Sequence, residues 1–221
     1  MQTTIDLLPG GLKIVQNPDL YRFTSDSVLL SKFARAKAHD EIADFCAGSG
    51  IVGLHFYALH GGDSLTFVEL QEELARLCEE SVALSGLEHI STVLNQSVQS
   101  LDSSYAGKFS LVLCNPPYER AGFENKDEKK AICRKELTLT FSELAKAASR
   151  ALKYGGRFAF CHRADRLAEL ICTLKGENLE PKRLAFVAGR EGDKPYLLLM
   201  EAVKGGKEGM EILPTLVNKE N

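Results

Sequence analysis

The chain has 221 residues, a hydrophobic fraction of 44% and a formal net charge of −3, values that fit one globular domain with a sizeable core. No apolar run is long enough to cross a membrane, and the N-terminus lacks a basic region followed by an apolar one. The small negative charge argues against a protein that coats nucleic acid non-specifically, and the scattered cysteines and histidines predict a reduced, cytoplasmic protein without a metal site.

The first forty residues are predicted to form an extension made of a hairpin and a helix. Apolar residues alternate on both sides of a Pro9-Gly10-Gly11 turn, a pattern that indicates two strands at the edge of a sheet. The Thr24-Ser25-Asp26 segment then supplies good N-cap residues, and the apolar spacing beyond it predicts a helix from about Ser27 to Ala38.

From residue 41 onward, short apolar runs alternate with segments of helical periodicity. Strands are predicted at 41–46, 64–69, 90–94, 111–114, 157–162, 183–187 and 196–203, and helices at 54–59, 70–85, 137–152 and 163–174, the helix over 137–152 being closed by Tyr154-Gly155-Gly156. This alternation is typical of βαβ units. We therefore predict a single Rossmann-like α/β domain over 1–221, with a seven-stranded, mostly parallel sheet, helices on both faces and a flexible tail over 205–221.

The fourth predicted strand ends in Asn115-Pro116-Pro117-Tyr118. Neither proline can donate to a ladder, so the strand must stop there, and the residue before a proline is held extended. Asn115 is therefore presented at the carboxyl edge of the sheet, where open α/β sheets bind ligands. A plain strand-terminating turn is the alternative, but the Asn before the prolines and the Tyr after them favour a functional loop.

The first predicted strand leads into Gly48-Ser49-Gly50-Ile51-Val52-Gly53, and Glu69 ends the next strand. This arrangement matches the dinucleotide-binding fingerprint, so an NAD-dependent oxidoreductase has to be considered. Asp44 argues against this interpretation. A carboxylate before the glycine loop would repel a pyrophosphate, whereas it suits an amino-bearing or cationic ligand such as S-adenosylmethionine. A cap on the following loop is the alternative role for Asp44.

Together these segments resemble the class I S-adenosylmethionine-dependent methyltransferases, in the branch that methylates amino groups with an (N/D)-P-P-(Y/F) loop. Their order along the chain is similar to that of the N6-adenine methyltransferases that modify bacterial tRNA1(Val) beside the anticodon. The resemblance covers almost the whole chain, and the segments that carry it are Tyr21–Leu30, Asp44–Gly53, Cys114–Tyr118, Gly155–Arg166 and Glu180–Val187.

The resemblance implies a set of residues that bind S-adenosylmethionine. Those around its methionine part would be Phe23, Thr24, Asp26, Asp44, Gly48 and Gly50, and Asn115 would also contact the cofactor. Glu69 would hold the ribose hydroxyls. Ser97 is a departure, because the residue that contacts the adenine amino group is usually Asp in the family, and a neutral contact is weaker than a charge-assisted one.

The same resemblance implies that Asn115, Pro116, Pro117 and Tyr118 are the catalytic residues. We expect the Asn115 side-chain oxygen and the Pro116 carbonyl to accept the two hydrogens of an adenosine N6 amine. Tyr118 would stack on the flipped-out base. The implied partner is the anticodon loop of a tRNA, bound without a membrane by a monomer or weak dimer.

Basic residues that could contact the tRNA backbone lie in the loop 119–135 and late in the chain, where they are Lys182, Arg183, Arg190, Lys194, Lys204 and Lys207. A solvated, mobile loop is an equally good interpretation of 119–135.

Four other functions remain open. A protein glutamine N5-methyltransferase would use the same loop but usually carries a preceding helical domain, and an rRNA guanine N2-methyltransferase more often has Phe at the position of Tyr118. An NAD-dependent oxidoreductase and a regulatory protein that binds S-adenosylmethionine without turnover belong to different classes. No hydride-transfer residues are recognisable after the glycine loop, and the intact Asn-Pro-Pro-Tyr loop argues against a non-catalytic binder.

Overall fold

The computed structural model describes residues 3–20, 24–117 and 139–218. The strands in these ranges are β1 Thr4–Leu7, β2 Lys13–Gln16, β3 Glu41–Phe45, β4 Ser64–Glu69, β5 Ser91–Asn95, β6 Phe109–Cys114, β7 Leu152–Arg163, β8 Leu179–Ala188, β9 Leu197–Lys204, β10 Glu211–Ile212 and β11 Leu216–Val217. The α-helices in them are α1 Ser25–Phe33, α2 Ile51–His60, α3 Glu72–Leu84, α4 Phe141–Ala151 and α5 Leu167–Gly176.

One large sheet organises the molecule, with the strand order β10-β8-β9-β7-β6-β3-β4-β5 and with β11 paired to β8. Strands β3 to β7 are parallel to their neighbours in this group, whereas β9 runs antiparallel between β7 and β8. The seven long strands confirm the predicted mostly parallel sheet. The short strands β10 and β11 extend it.

Helices cover both faces of this sheet, as predicted. Along β7, Phe158 and Phe160 belong to the apolar cluster packed with α4 and α5, whereas Ala159 and Cys161 belong to the cluster packed with α1, α2 and α3. Successive side chains of a strand point to opposite faces, so a strand covered on both faces must be apolar throughout. This explains the continuous apolar runs of the central strands.

The N-terminal hairpin forms as predicted but is not an edge of the large sheet. Strands β1 and β2 form a separate antiparallel pair. The backbone N–H groups of Lys13 and Val15 in β2 donate to the Ser85 and Ser81 hydroxyls, each at 2.9 Å. The N–H groups of β2, which were predicted to lie at the edge of a sheet, are therefore bonded by side chains on α3 and at its end.

Helix α1 ends at Phe33, five residues before the predicted end at Ala38. The N–H of Ala34 still donates to the Leu30 carbonyl, but Ala34 itself is extended. The next N–H group, that of Arg35, donates to the Glu201 carboxylate at 3.1 Å. A contact with β9 thus stops a helix that local periodicity would continue.

The Tyr154-Gly155-Gly156 segment was expected to separate a helix from a strand, but α4 ends at Ala151 and β7 begins at Leu152. Pairing with β6 passes from Leu152 to Arg157, so residues 153–156 bulge out of the strand. Gly155 has a φ of 75°, which favours glycine. The Tyr154-Gly155-Gly156 segment does change the chain direction, but as a bulge inside β7 and not as a turn between a helix and a strand.

The segment after Gly205 also differs from the expected tail. Within 205–218, β10 pairs in parallel with Arg183 and Leu184, and β11 pairs with Val187 and Ala188. These pairings cover the outer edge of β8, whose backbone groups would otherwise be open. Residues 219–221 lie outside the described ranges. Among the described helices, none is both long enough and apolar enough to span a bilayer.

Candidate active site

The carboxyl ends of the parallel strands bring most of the predicted site residues to one edge of the sheet. Asp44 pairs with Leu113 inside the ladder, so the loop after β3 lies beside the loop after β6. Glu69 pairs with Asn95 at the next strand ends. The predicted residues that share this edge are Asp44, Gly48, Gly50, Glu69, Ser97 and Asn115.

Glu69 is tied to the glycine loop through both of its carboxylate oxygens. Its Oε2 accepts the Gly48 N–H at 2.8 Å, and its Oε1 accepts the Gln71 N–H at 2.9 Å. The side chain is nearly buried, and this burial raises its pKa above the ordinary value. The two oxygens have about four lone-pair sites, so the carboxylate can still accept a hydroxyl group of a ligand.

Asp44 is 1% exposed, and its two oxygens have different surroundings. Oδ2 accepts the Gly53 N–H at 2.8 Å, which caps the first turn of α2. Oδ1 is buried and has no hydrogen-bond partner among the described residues. Burial, with a smaller contribution from the charge of Glu69, raises the pKa of Asp44 to about 7.

The glycine loop is packed too tightly for larger residues. A Cβ at Gly53 would lie 2.7 Å from the Phe67 ring and 3.2 Å from the Asp44 side chain. A Cβ at Gly50 would lie 2.8 Å from the Cys78 sulfur, and Gly50 has a φ of 90°. The glycines therefore allow α2 to begin directly against β3 and β4.

The side-chain amide of Asn115 is held from two sides. Its Nδ2 donates to the Ser27 hydroxyl in the first turn of α1 at 2.9 Å. The Cys161 thiol, near the end of β7, donates to its Oδ1 at 2.9 Å. Burial raises the pKa of Cys161 above its ordinary value, so the thiol keeps its proton. Pro116, which follows Asn115, is buried.

The first turn of α1 is also held from the far end of the chain. Asn218 donates to the Ser25 hydroxyl at 2.7 Å and to the Tyr196 hydroxyl at 2.9 Å. Tyr196 in turn donates to Asp26 at 3.3 Å. Thr24 occupies the N-cap position with an exposed side chain that makes no capping bond.

Ser97 lies at the predicted edge but acts locally in this structure. Its hydroxyl accepts the Gln99 N–H at 3.2 Å and donates to the Gln99 side-chain oxygen at 3.0 Å, which starts a short 3₁₀ turn. The contact with an adenine amino group stays a prediction. Leu70, directly after Glu69, is 46% exposed and places an apolar side chain at the same edge.

Sequence reasoning did not identify Cys161, Tyr196, Asn218 or Leu70 as site residues, and it named Ser27 only as the start of a predicted helix. The position of Leu70 directly after Glu69 could be read from the sequence, but its exposure could not. The others contact the site from distant elements, so no local pattern marks them. Phe23, Tyr118 and the loop 119–135 lie outside the described residues, and the predictions made for them stay predictions.

The basic residues late in the chain are divided between two edges. Exposed Arg190 and Lys194 lie in the connection between β8 and β9, at the edge that holds the site. Lys182 and Lys204 lie towards the opposite edge, where their ammonium groups donate to backbone carbonyls. Arg183 packs its guanidinium over the Phe33 ring at 4.7 Å. The Pro181-Lys182-Arg183 segment is therefore not at the site edge.

Comparison with known proteins adds a family and a fold. A family model described as methyltransferase small domain matches residues 24–171. A tRNA1(Val) (adenine(37)-N6)-methyltransferase of Shewanella sp. (strain W3-18-1) is 31% identical over 135 residues, covering 60% of this chain and 56% of the relative. The match thus spans little more than half of the relative's length.

Two solved structures show the same fold. A predicted O-methyltransferase from Agrobacterium tumefaciens superposes with a TM-score of 0.69 at 21% identity, covering 87% of this chain and 86% of the other. TYW2 of P. horikoshii in complex with MeSAdo superposes with a TM-score of 0.66 at 14% identity, covering 92% and 72%. The α/β architecture of this chain is that of the class I S-adenosylmethionine-dependent methyltransferases.

Proposed function

This chain belongs to the methyltransferase small domain family of S-adenosylmethionine-dependent enzymes, and from that premise we propose that it methylates the N6 amino group of an adenosine in the anticodon loop of a tRNA1(Val)-like substrate. The observation that carries the proposal is the position of the Asn115 amide, fixed beside the glycine loop at the carboxyl edge of the sheet.

The residues at this edge fit S-adenosylmethionine. The buried Asp44 Oδ1, which has no hydrogen-bond partner in the described part of the chain, suits the amino group of the methionine part. Glu69 would accept the ribose hydroxyls, and the exposed Leu70 would offer apolar surface to the purine. Gly48 and Gly50 let the backbone approach the ligand. When bound, S-adenosylmethionine supplies a methyl group that is activated by the positive charge of its sulfonium.

The Asn-Pro-Pro-Tyr loop would orient the nucleophile. The lone pair of an adenine N6 is delocalised into the ring, so the free amine is a poor nucleophile. The Asn115 Oδ1 and the Pro116 carbonyl would accept its two hydrogens, which draws the nitrogen towards a tetrahedral shape and aims its lone pair. Tyr118 would stack on the base, while Pro117 would keep the loop rigid. Catalysis on this account comes from positioning and electrostatics.

Further roles belong to the same proposal. Thr24 and Asp26 would border the methionine end of the cofactor together with Phe23, and Ser97 would lie near its adenine. Arg190 and Lys194 are the described late basic residues that we propose for contact with tRNA phosphates, because they are exposed at the site edge. We also propose that the chain acts as a single domain over 1–221.

The test is methyl transfer from labelled S-adenosylmethionine to total tRNA that lacks N6-methyladenosine, followed by nucleoside analysis. We expect label in N6-methyladenosine with the wild-type protein and none with Asn115→Ala. Calorimetry should show that this variant keeps substantial affinity for S-adenosylmethionine, since Asp44 and Glu69 are unchanged. Label in a protein glutamine or in an rRNA guanosine, with none in tRNA, would overturn the substrate.

A further inference from the structure

We propose that Ser27 and Cys161 are positioning residues, which hold the Asn115 amide in the one orientation that offers its oxygen to the substrate amine. This inference rests on the proposed function of Asn115. Ser27 and Cys161 have no role of their own in that proposed function.

An asparagine amide has two orientations of nearly equal shape. Rotation by half a turn exchanges Oδ1, an acceptor, with Nδ2, a donor. Only the oxygen can accept a hydrogen from an amine, because Nδ2 would meet that amine donor to donor. The orientation of Asn115 must therefore be set by its neighbours before the substrate arrives.

The two neighbours differ in what they can select. The Ser27 hydroxyl can donate as well as accept, so it tolerates either orientation of the amide. The Cys161 thiol keeps its proton and can donate to Oδ1, whereas its sulfur is a weak acceptor for an N–H group. Cys161 is thus the group that favours the observed orientation. Ser27 stabilises the same orientation, because its hydroxyl accepts a hydrogen bond from Nδ2.

Burial of the two partners limits the access of water to both contacts. Ser27 is 1% exposed and Cys161 is fully buried, whereas Asn115 itself is half-buried. The thiol occupies one lone pair of Oδ1 and leaves the second for the amine. The three side chains come from α1, the loop after β6 and the end of β7, so the amide is braced between elements that pack in one core.

A role in packing and a role in orienting Asn115 predict opposite rankings of serine and alanine at position 161. The thiol lies in an apolar cluster, where serine is a worse replacement than alanine for stability, because its hydroxyl is costly to bury. For the orientation of Asn115, serine is the better replacement, because it keeps a hydrogen-bond donor. The order of the two variants therefore separates the two roles.

The experiment compares Cys161→Ala with Cys161→Ser. Single-turnover methyl transfer to tRNA is measured at saturating S-adenosylmethionine, beside cofactor affinity and the unfolding midpoint. We expect a rate loss of about tenfold for Cys161→Ala and a clearly smaller loss for Cys161→Ser, with cofactor affinity unchanged. A rate order that follows stability, or wild-type rates in both variants, would overturn the proposal.

Ser27→Ala is tested against Ser31→Ala. Ser31 is fully buried one turn further along α1, where its hydroxyl contacts His55 Nδ1 at 2.7 Å and does not touch Asn115. We expect a larger rate loss for Ser27→Ala than for Ser31→Ala at comparable stability. Equal losses would show that Ser27 acts only through the packing of α1.

Failure of the proposed function would look different. If the wild-type protein binds S-adenosylmethionine but methylates no adenosine, the substrate assignment fails. The orientation of Asn115 is then read from its side-chain NH₂ signals in ¹⁵N NMR spectra, assigned by their loss in Asn115→Asp. We expect slow solvent exchange of these hydrogens in the wild type and in Cys161→Ser, and faster exchange in Cys161→Ala. Identical exchange in all three would overturn the proposal without reference to any substrate.

Discussion

Asp44 places an ionisable group in a buried setting where opposing effects act on its ionised form. The ionised form is stabilised by the Gly53 N–H but lacks solvent and lies near the charge of Glu69. The protonated form escapes the cost of burial. With a pKa of about 7, the carboxyl is divided between both forms near neutral pH, and a positively charged ligand group would shift it to the ionised form.

The first prediction concerns the stability of the protein without ligand. Between the ordinary Asp pKa of 3.8 and about 7, the folded protein holds a proton on Asp44 that the unfolded chain has lost. The contribution of Asp44 to stability is therefore fully present below the lower value and is lost as pH rises to about 7. Urea unfolding at a series of pH values should show that Asp44→Asn removes this loss.

Glu69→Gln is the control for the prediction on Asp44, because the charge of Glu69 contributes to the raised pKa. We expect this variant to shift the pH range of the loss downwards without abolishing it. If Asp44→Asn and the wild type lose stability in parallel, the pKa of Asp44 is not raised.

The residues that sequence analysis placed correctly share a simple property. Gly48, Gly50, Glu69 and Asn115 each stand at or just after the end of a strand, so a local motif is enough to bring them to the sheet edge. Cys161 contacts Asn115 across 46 positions and Ser27 contacts it across 88. Such pairs depend on which strands and helices become neighbours, and the sequence pattern does not state this.

At the scale of elements, the first turn of α1 is where three separate parts of the chain converge. Asn115 reaches Ser27, Tyr196 reaches Asp26, and Asn218 reaches Ser25. The side chain of Thr24, the N-cap residue, makes no capping bond to this turn. These tertiary contacts therefore supply the support that a helix end more often receives from its own cap.

The second prediction follows from this support. Asn218→Ala removes two donated hydrogen bonds, so we expect the free energy of unfolding to fall by about 1–2 kcal/mol. Hydrogen exchange should become faster over the first turn of α1, and methyl transfer should slow because Ser27 is in this turn. Val217→Ala, at the 40% exposed side chain of the preceding residue, is the control. Equal exchange in α1 for both variants would contradict the role of Asn218.

Element types were predicted well, and the errors occur where distant backbone contacts override local pattern. Apolar periodicity continues past Phe33, but the Arg35 N–H bonds to Glu201, 166 positions away. The strands β10 and β11 consist of two residues each, and they form because β8 offers an open edge. Two-residue strands held by backbone pairing leave almost no side-chain signal.

At the scale of the whole molecule, the net charge of −3 does not tell at which edge of the sheet the basic residues lie. Arg190 and Lys194 are exposed at the site edge, whereas Lys182 and Lys207 are joined to each other by a hydrogen bond towards the opposite edge. A polyanion that reaches the site would meet the first pair and not the second. Contact with a polyanion thus depends on where the basic residues lie, which the net charge does not describe.

The third prediction is that a double variant, Arg190→Ala with Lys194→Ala, weakens tRNA binding and its dependence on salt. Each lost phosphate contact should reduce the slope of log K against log salt by about one. Anisotropy titrations of labelled tRNA at several salt concentrations give both quantities. The paired variant Lys182→Ala with Lys207→Ala should bind like the wild type. The reverse result would place the RNA on the other edge.

The α/β class was predictable because strands and helices repeat along the chain at regular intervals. The order β8-β9-β7-β6-β3-β4-β5 was not, since periodicity carries no information on which strand pairs with which. The resemblance to a known family supplied the expected sheet. The strand ends of that sheet carry most of the residues proposed to bind the cofactor.

The contact between Asn218 and Ser25 joins positions separated by 193 residues, and it has a consequence for synthesis on the ribosome. Most of the sheet can form while later residues are still being added, because domains tend to fold as they emerge. The turn that carries Ser27 receives its last support only when residue 218 has left the exit tunnel. A nascent chain would therefore hold its glycine loop before the turn of α1 that contacts Asn115 has all of these supports.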